Sequence, residues 1–558
     1  MKMRVAYIPR PHKNKTYRYP FIVQSYRNDE GKPSTRTIMN LSALPEHVVR
    51  AIDAALRYGN IANIAAVPVT DVHFEDALDF GHVWSVWRLM EQLGIVDLLD
   101  LLPRQHRHAI AGMIVDRVVN PLPFSKRALH DDFAGSPLAR ILDNPATGAL
   151  NDWYEALEAL LANQPAIEKA LFPQKSERVF LYDITSSYFE GTHCPLAAFG
   201  YNRDGKKGKM QIVIGLLCDA EGRPVSAQVF EGNTADQSVA LSQVNKLRET
   251  FGVQEIVFVG DRGMITSKRI EELGGGDYKW ARYITAIKRS DMMEMVEDET
   301  HPIQIDLFDE KNLVEVREGN VRHILCYNPM RRERDAAVRR RLIEKTEEKL
   351  ASIEANVRDG RLKNKEKIEK RLWRWLNRWG MERFFTVETG EGRFAWRRND
   401  AQIERYSRLD GCYVITSNIE PERMETAEVV ARYKSLQQVE RAFRSMKTAD
   451  LFVRPIRHWN ADRVKGHVFM CMLAYLVTWE ARRRLAEFLK RDPHTRECDG
   501  DSLREIWKSL AKVKIGVLKF GAKNIEQLNP LTAFQKQLLK SLGASLNKKE
   551  QNRLSLRN

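Results

Sequence analysis

The chain has 558 residues, 43% hydrophobic and 29% charged, with 89 Lys and Arg against 74 Asp and Glu. That length allows two to four domains, and the composition excludes a disordered or fibrous chain. A formal net charge of +15 favours a polyanionic partner, since neutralising phosphates releases counterions, but it suits a ribosome-associated protein or a basic membrane binder as well. The six cysteines are scattered without a C-x-x-C pair, so neither a disulfide framework nor a zinc ribbon is expected, and a reducing compartment is. No secretory signal is visible at the start. The longest apolar run, 468–477, is shorter than the about 20 residues that cross a bilayer, so a buried helix and no membrane association are expected.

Residues 1–60 read as an N-terminal β-hairpin and helix: runs 17–26 and 34–41 are strand-like around Asn28, Asp29, Glu30, Gly31 and Lys32, and 44–58 is helical. The hairpin is basic, which fits DNA contact and plain solvation equally. Residues 61–175 are helical from about 79, with Val83, Val86, Met90 and Leu93 on one face, a stop at Gly94, and a compact apolar helix over 109–119. Short helices on a basic chain suit a DNA-binding region, although no recognition-helix spacing names one.

At 178 the period changes. Segments 178–185, 210–218, 223–230, 256–259 and 283–287 are strand-like, with a turn at Asp219, Ala220, Glu221 and Gly222 and a helix from Asn233 or Thr234 to about 250. The order β-β-β-α-β-α-β describes a mixed sheet with helices on its faces, so 176–289 is the first part of an α/β core. Residues 290–408 interrupt it with two strand-like runs, a helical hairpin and a β-hairpin. The helical hairpin carries two stripes, Ile343, Leu350, Ile353 and Val357, then Ile368, Leu372, Trp375, Leu376 and Trp379. The core resumes over 409–490 with a strand at 411–417, a helix over 433–447 and a long helix over 463–489. Residues 491–558 form a C-terminal region whose last part, 543–558, is expected to fray.

Three isolated acids stand out. Asp183 lies in an apolar strand beside Tyr182 and Ile184, where a carboxylate needs a partner, a metal or water. Asp261 follows an apolar strand in a Gly-Asp-Arg-Gly turn, where pairing with Arg262 is as good a reading as function. Glu440 is the lone acid of 433–447, among Lys434, Arg441, Arg444 and Lys447, and taken alone reads as an ion-pair member on a solvated helix. If Asp183 and Asp261 end neighbouring strands, a helix alongside brings Glu440 to the same point. Three carboxylates with few neutral ligands suit Mg2+ or Mn2+, and two such ions activate an attacking oxygen and stabilise the leaving oxygen of a phosphodiester. No P-loop is present, so nucleotide hydrolysis is not supported.

The order of these elements resembles the DDE transposases of bacterial insertion sequences, over about 178–480. The elements that carry the likeness are Leu181 to Thr185 (LYDIT), Gly232 to Asp236 (GNTAD), Gly260 to Gly263 (GDRG), Val439 to Arg444 (VERAFR), Arg454 to His458 (RPIRH) and Gly466 to Phe469 (GHVF). The subgroup it is most similar to has a Tyr-x2-Arg-x3-Glu-x6-Lys signature. Tyr433, Glu440 and Lys447 fall on it, whereas Leu436 stands where the signature has Arg. The resemblance implies an RNase H-like mixed sheet flanked by helices, with an N-terminal β-hairpin and helical region and an α+β insertion before the last catalytic acid. It implies that Asp183, Asp261 and Glu440 bind two Mg2+ or Mn2+ ions. It implies DNA contacts from Tyr433 and Lys447, with Lys434, Arg441 and Arg444 as further candidates. The partners implied are double-stranded DNA, as terminal inverted repeats and as target, and a second copy in a synaptic homodimer, acting in the bacterial cytoplasm at the nucleoid. A catalytically silent DNA-binding regulator and an RNase H-like nuclease are the alternatives.

Overall fold

Segments 179–188, 211–219 and 256–260 are apolar at nearly every position, and such a strand is stable only with both faces covered. In the computed structural model they lie inside an eight-stranded mixed sheet. The structure describes residues 3–12, 15–28, 31–58, 72–142, 147–172, 179–201, 203, 205–206, 208–262, 265, 278–298, 300–303, 307, 314–449, 451, 453, 456–489, 500–520 and 523–546. The chain divides into two units, one of residues 1–85, 135–143 and 505–558, the other of 86–134 and 144–504.

In the smaller unit, β1 (Met3–His12), β2 (Lys15–Arg27) and β3 (Pro33–Asn40) form an antiparallel sheet. The helix Glu46–Tyr58 covers one face, closing a small core of Val5, Leu41 and Val49, while β3 is almost wholly exposed. The expected hairpin and helix are present, and β1 is an addition. A second sheet joins β4 (Val72–Asp79) to β15 (Lys514–Phe520) and β16 (Lys523–Leu528). None of these three strands is among those expected from the sequence. Of the tail expected to fray, Ala544 and Leu546 are buried, and 547–558 lie outside the described residues.

The large sheet belongs to the other unit. Its centre is β5 (Val179–Tyr188), antiparallel to β6 (Gln211–Asp219), which is antiparallel to β7 (Pro224–Glu231). On the other side β5 runs parallel to β8 (Ile256–Gly260), and β8 parallel to β9 (Ala281–Ala286). The helix Asp236–Glu249 makes the crossover from β7 to β8. This third-second-first-fourth-fifth order is that of the expected RNase H-like core. The helix expected between β8 and β9 falls outside the described residues.

The interruption extends this sheet. Its strands β10 (Val314–Glu318) and β11 (Val321–Tyr327) pair in turn with β14 (Cys412–Ser417), which pairs antiparallel with β9. Helices Pro329–Arg358 and Lys365–Trp379 form the expected hairpin, and Leu350, Ile353, Ile368, Leu372 and Leu376 are its buried seam. The strands β12 (Phe385–Gly390) and β13 (Arg393–Arg398) form the two-stranded sheet around the Gly-Glu-Gly turn.

Helix Ala461–Arg484 is buried almost all round from Val464 to Ala481. Helices Arg104–Val119 and Leu150–Ala162 pack against it, as does β7. It is therefore a core helix, as its apolar first half required, and among the described residues no helix is long and apolar enough to cross a membrane. All five cysteines among the described residues are free and buried.

The single helix expected over 433–447 is three pieces. Helix Thr426–Lys434 ends where Ser435 Oγ donates back to the Ala431 carbonyl at 3.0 Å, a contact that bends helices. Leu436, Gln438 and Val439 then close tight turns to Tyr433, Ser435 and Leu436, and a second helix covers Gln437–Arg444. A π-helical turn, Ser445–Ala449, follows. No Gly or Pro marks either break, so residue type alone did not reveal them.

Candidate active site

Asp183 is in the middle of β5, not at a strand end; it is β8 that stops, at Gly260. The last parallel pair is Tyr182 with Gly260, so Asp183 and Asp261 occupy the next row of adjacent strands. Neighbouring strands lie about 4.8 Å apart, which puts the two acids side by side. Each carboxylate is oriented by the next amide: Ile184 N–H donates to Asp183 Oδ1 and Arg262 N–H to Asp261 Oδ1, both at 2.8 Å.

Helix Gln437–Arg444 packs on β5 and β6 through Val439, Ala442 and Phe443, leaving Glu440 exposed. Gly222, at φ +82°, makes room for it: a Cβ there would stand 2.6 Å from Gln438 Cβ. Burial first, and then the charges of Asp261 and Glu440, push the Asp183 carboxyl up to about 7. Three acids from β5, the end of β8 and the Glu440 helix thus share one electrostatic neighbourhood. Arg203, from the loop between β5 and β6, opposes them and holds the Asp183 value down. Nothing in the sequence singles out Arg203, whose run of Arg and Lys looks like a solvated loop. Its backbone N–H donates to Ser186 Oγ at 2.9 Å, and its guanidinium lies 5.7 Å from the Tyr201 ring. Phe199 and Tyr201 in the same loop are exposed.

The other candidates separate. Tyr433 is half-buried, and its phenol is pushed up to about 12 by burial and by Asp261, with Glu440 adding to it. It therefore stands with the acids. Lys434 and Arg444 are exposed and Arg441 half-buried. Leu436 is half-buried in the turn between the two helices. Lys447, expected to reach for DNA, is instead buried: its ammonium donates to Thr185 Oγ1 at 2.5 Å and to the Ser186 carbonyl. The π turn after Arg444 rotates it out of phase with exposed Glu440. Thr185 is on the same face of β5 as Asp183, two residues along, so Lys447 ties the helix to the strand beside the acids. Lys447→Met is expected to lower stability by about 1–3 kcal/mol in urea denaturation, since it strands buried acceptors. An exposed phosphate-contacting lysine would leave the midpoint unchanged.

The donor set fits a hard divalent cation. It is made of carboxylate oxygens only, and a cation relieves the repulsion between neighbouring carboxylates. Among the described residues, the group of His, Cys, Asp and Glu whose ligand atoms all lie within 4.8 Å is a different one, His106, Asp152 and Glu155. A cavity of about 600 Å3 lined by Glu315, Arg317, Arg322 and Thr426 contains none of the three acids.

A family model described as a transposase DDE domain matches residues 174–477, more than half of the chain. The chain belongs to this family. A model of the N-terminal domain of IS1634 family transposases matches residues 6–63 of the same transposase. As a DDE transposase of an insertion sequence it is a DNA-cleaving and strand-transfer enzyme, and the family implies dependence on a divalent metal. No curated protein sequence matches the transposase significantly. Among solved structures, the piggyBac transposase synaptic complex with hairpin DNA aligns over 74% of this chain and 71% of that one, at 9% identity and a TM-score of 0.34.

Proposed function

We propose that Asp183, Asp261 and Glu440 are the metal-binding catalytic acids of this transposase, holding two Mg2+ or Mn2+ ions. The observation that carries the reading is the placement of Asp183 and Asp261 in the same row of the adjacent strands β5 and β8, with the Glu440 helix packed on β5. The ions, when bound, supply electrostatic stabilisation of the charge that grows on the phosphodiester. The chain's own part is to orient the carboxylates through the Ile184 and Arg262 amides and to fix the Glu440 helix through Lys447. Tyr433, Lys434, Arg441 and Arg444 lie on the Glu440 segment and are assigned to DNA contact, as is Arg203 near Asp183; buried Lys447 acts from behind as a positioning residue.

The substrate is the double-stranded DNA of the element's terminal inverted repeats. Hydrolysis at each end frees a 3′-OH, which attacks a phosphodiester of target DNA. No covalent link to the protein is needed. Joining two ends at once calls for a synaptic homodimer, and the reaction belongs in the bacterial cytoplasm at the nucleoid. The exposed basic β1–β3 unit, with Arg18, Arg27 and Arg36 outward, suits recognition of the ends.

Supercoiled donor DNA carrying the element's ends, incubated with the protein and Mg2+, tests this. Strand-transfer products are expected. Cleavage without joining would make it a nuclease, and end binding alone a silent regulator.

A further inference from the structure

Outside the acid site, His106, Asp152 and Glu155 bring one imidazole nitrogen and two carboxylate oxygens within 4.8 Å of one another. Helix Arg104–Val119 carries His106, and Asp152 and Glu155 lie one turn apart on helix Leu150–Ala162. Both ring nitrogens of His106 are buried and have no hydrogen-bond partner. That is an uncommon state, because an imidazole always has at least one N–H or lone pair that needs a partner when water is excluded.

His106 Nε2 is 3.8 Å from Asp152 Oδ1. This is too long for a hydrogen bond, which needs about 3.2 Å or less. It is within the span of two ligands on a shared ion, since bonds of about 2.0–2.1 Å on each side reach up to about 4.2 Å. Asp152 is held for this: its Oδ2 accepts from the Ala149 N–H at 2.6 Å, leaving Oδ1 towards the histidine. The carboxylate also needs Gly148. A Cβ at that glycine, whose φ is +64°, would stand 2.4 Å from Asp152 Oδ2 and 3.0 Å from Gln105 Cβ. The backbone has thus left space where any other residue would press on the ligand.

We propose that His106, Asp152 and Glu155 form a second metal site, for a transition-metal dication of the Zn2+ type, distinct from the carboxylate-only site at Asp183. The imidazole sets the choice: mixed nitrogen and oxygen ligands favour Zn2+, whereas an all-oxygen set favours Mg2+. Three protein ligands leave a position for water. The site is a clamp. It joins the two helices that pack against Ala461–Arg484, the helix that also backs β7.

The test is metal uptake by the full-length chain. Metal-free protein is dialysed against Zn2+ in excess Mg2+, which keeps the carboxylate site filled, and bound zinc is counted by mass spectrometry. Wild type is expected to hold about one zinc more than either His106→Gln or Glu155→Gln, and to melt higher with zinc than without it, a rise both variants lose. If His106→Gln does not fold, Glu155→Gln and the visible spectrum of the Co2+-loaded wild type carry the test, the spectrum showing nitrogen in the ligand set. Equal zinc in wild type and variants, or a Co2+ spectrum of oxygen ligands only, overturns the proposal and leaves a simple His–Asp contact.

Discussion

Asp183→Asn is expected to abolish metal-dependent cleavage and strand transfer while leaving end binding close to wild type. The loss follows from removing the carboxylate on which the other two acids converge. Several kcal/mol of transition-state stabilisation go with it, about a thousandfold or more in rate. Gel assays of end cleavage and of end binding, run on the same preparation, check both halves. Wild-type cleavage by this variant would sink the assignment.

The same variant is expected to be more stable than wild type when no divalent cation is present. The Asp183 carboxyl is raised from 3.8 to about 7 in the fold. Between those values the folded chain holds a proton that the unfolded chain has released, so stability falls as pH rises from about 4 to about 7 and is level above. At about 1.4 kcal/mol per pH unit the upper bound is about 4 kcal/mol, reduced by the partial exposure of the side chain. Asparagine has no charge to bury and removes that slope. Thermal melts of both proteins at pH 5 and pH 8 read it directly. Mg2+ should raise the wild-type melting temperature at pH 8 and leave the variant's nearly unchanged.

The largest loss of stability is expected at Gly466. A Cβ there would stand 2.0 Å from the Leu157 carbonyl oxygen and 2.7 Å from its carbon. These are backbone atoms of helix Leu150–Ala162, which cannot turn aside as a side chain can. Gly466→Ala must therefore push two core helices apart, and Gly466→Val must do so further; a loss of about 3 kcal/mol or more is expected for either. Urea denaturation gives the figure. Gly135→Ala, where an added carbon meets nothing within 4 Å, serves as the comparison and should change stability by less than about 0.5 kcal/mol.

Much of the large sheet was legible because its strands are apolar on both faces, a pattern that survives without knowledge of the partner. Asp183 stood out for the same reason, as one charge in a run of Phe, Leu, Tyr and Ile. The helical hairpin was legible through its stripes, and Leu350, Ile353, Ile368 and Leu372 are indeed its seam. What escaped depended on tertiary partners. β4, β15 and β16 mix polar and apolar residues and are strands because they pair with each other. The break at Ser435 arises from a serine hydroxyl turning back on its own helix, which composition does not register. Lys447 looked like a surface cation because lysine usually is one. Only the π turn and the nearby Thr185 and Ser186 acceptors make it an internal tie. Arg203 was hidden among neighbouring bases whose charge alone gives no address.

The pairing of β4 with β15 also sets a timetable. Asp79 and its partner Lys514 are separated by 435 positions in the chain. At about 5–20 residues per second, a ribosome makes β4 roughly 20–90 seconds before the strand that pairs with it. The whole large sheet, with all three acids, is synthesised in that interval. The nascent chain thus carries β4 without its partner while the strands of the large sheet are made, and the second sheet of the smaller unit can close only once β15 and β16 have emerged.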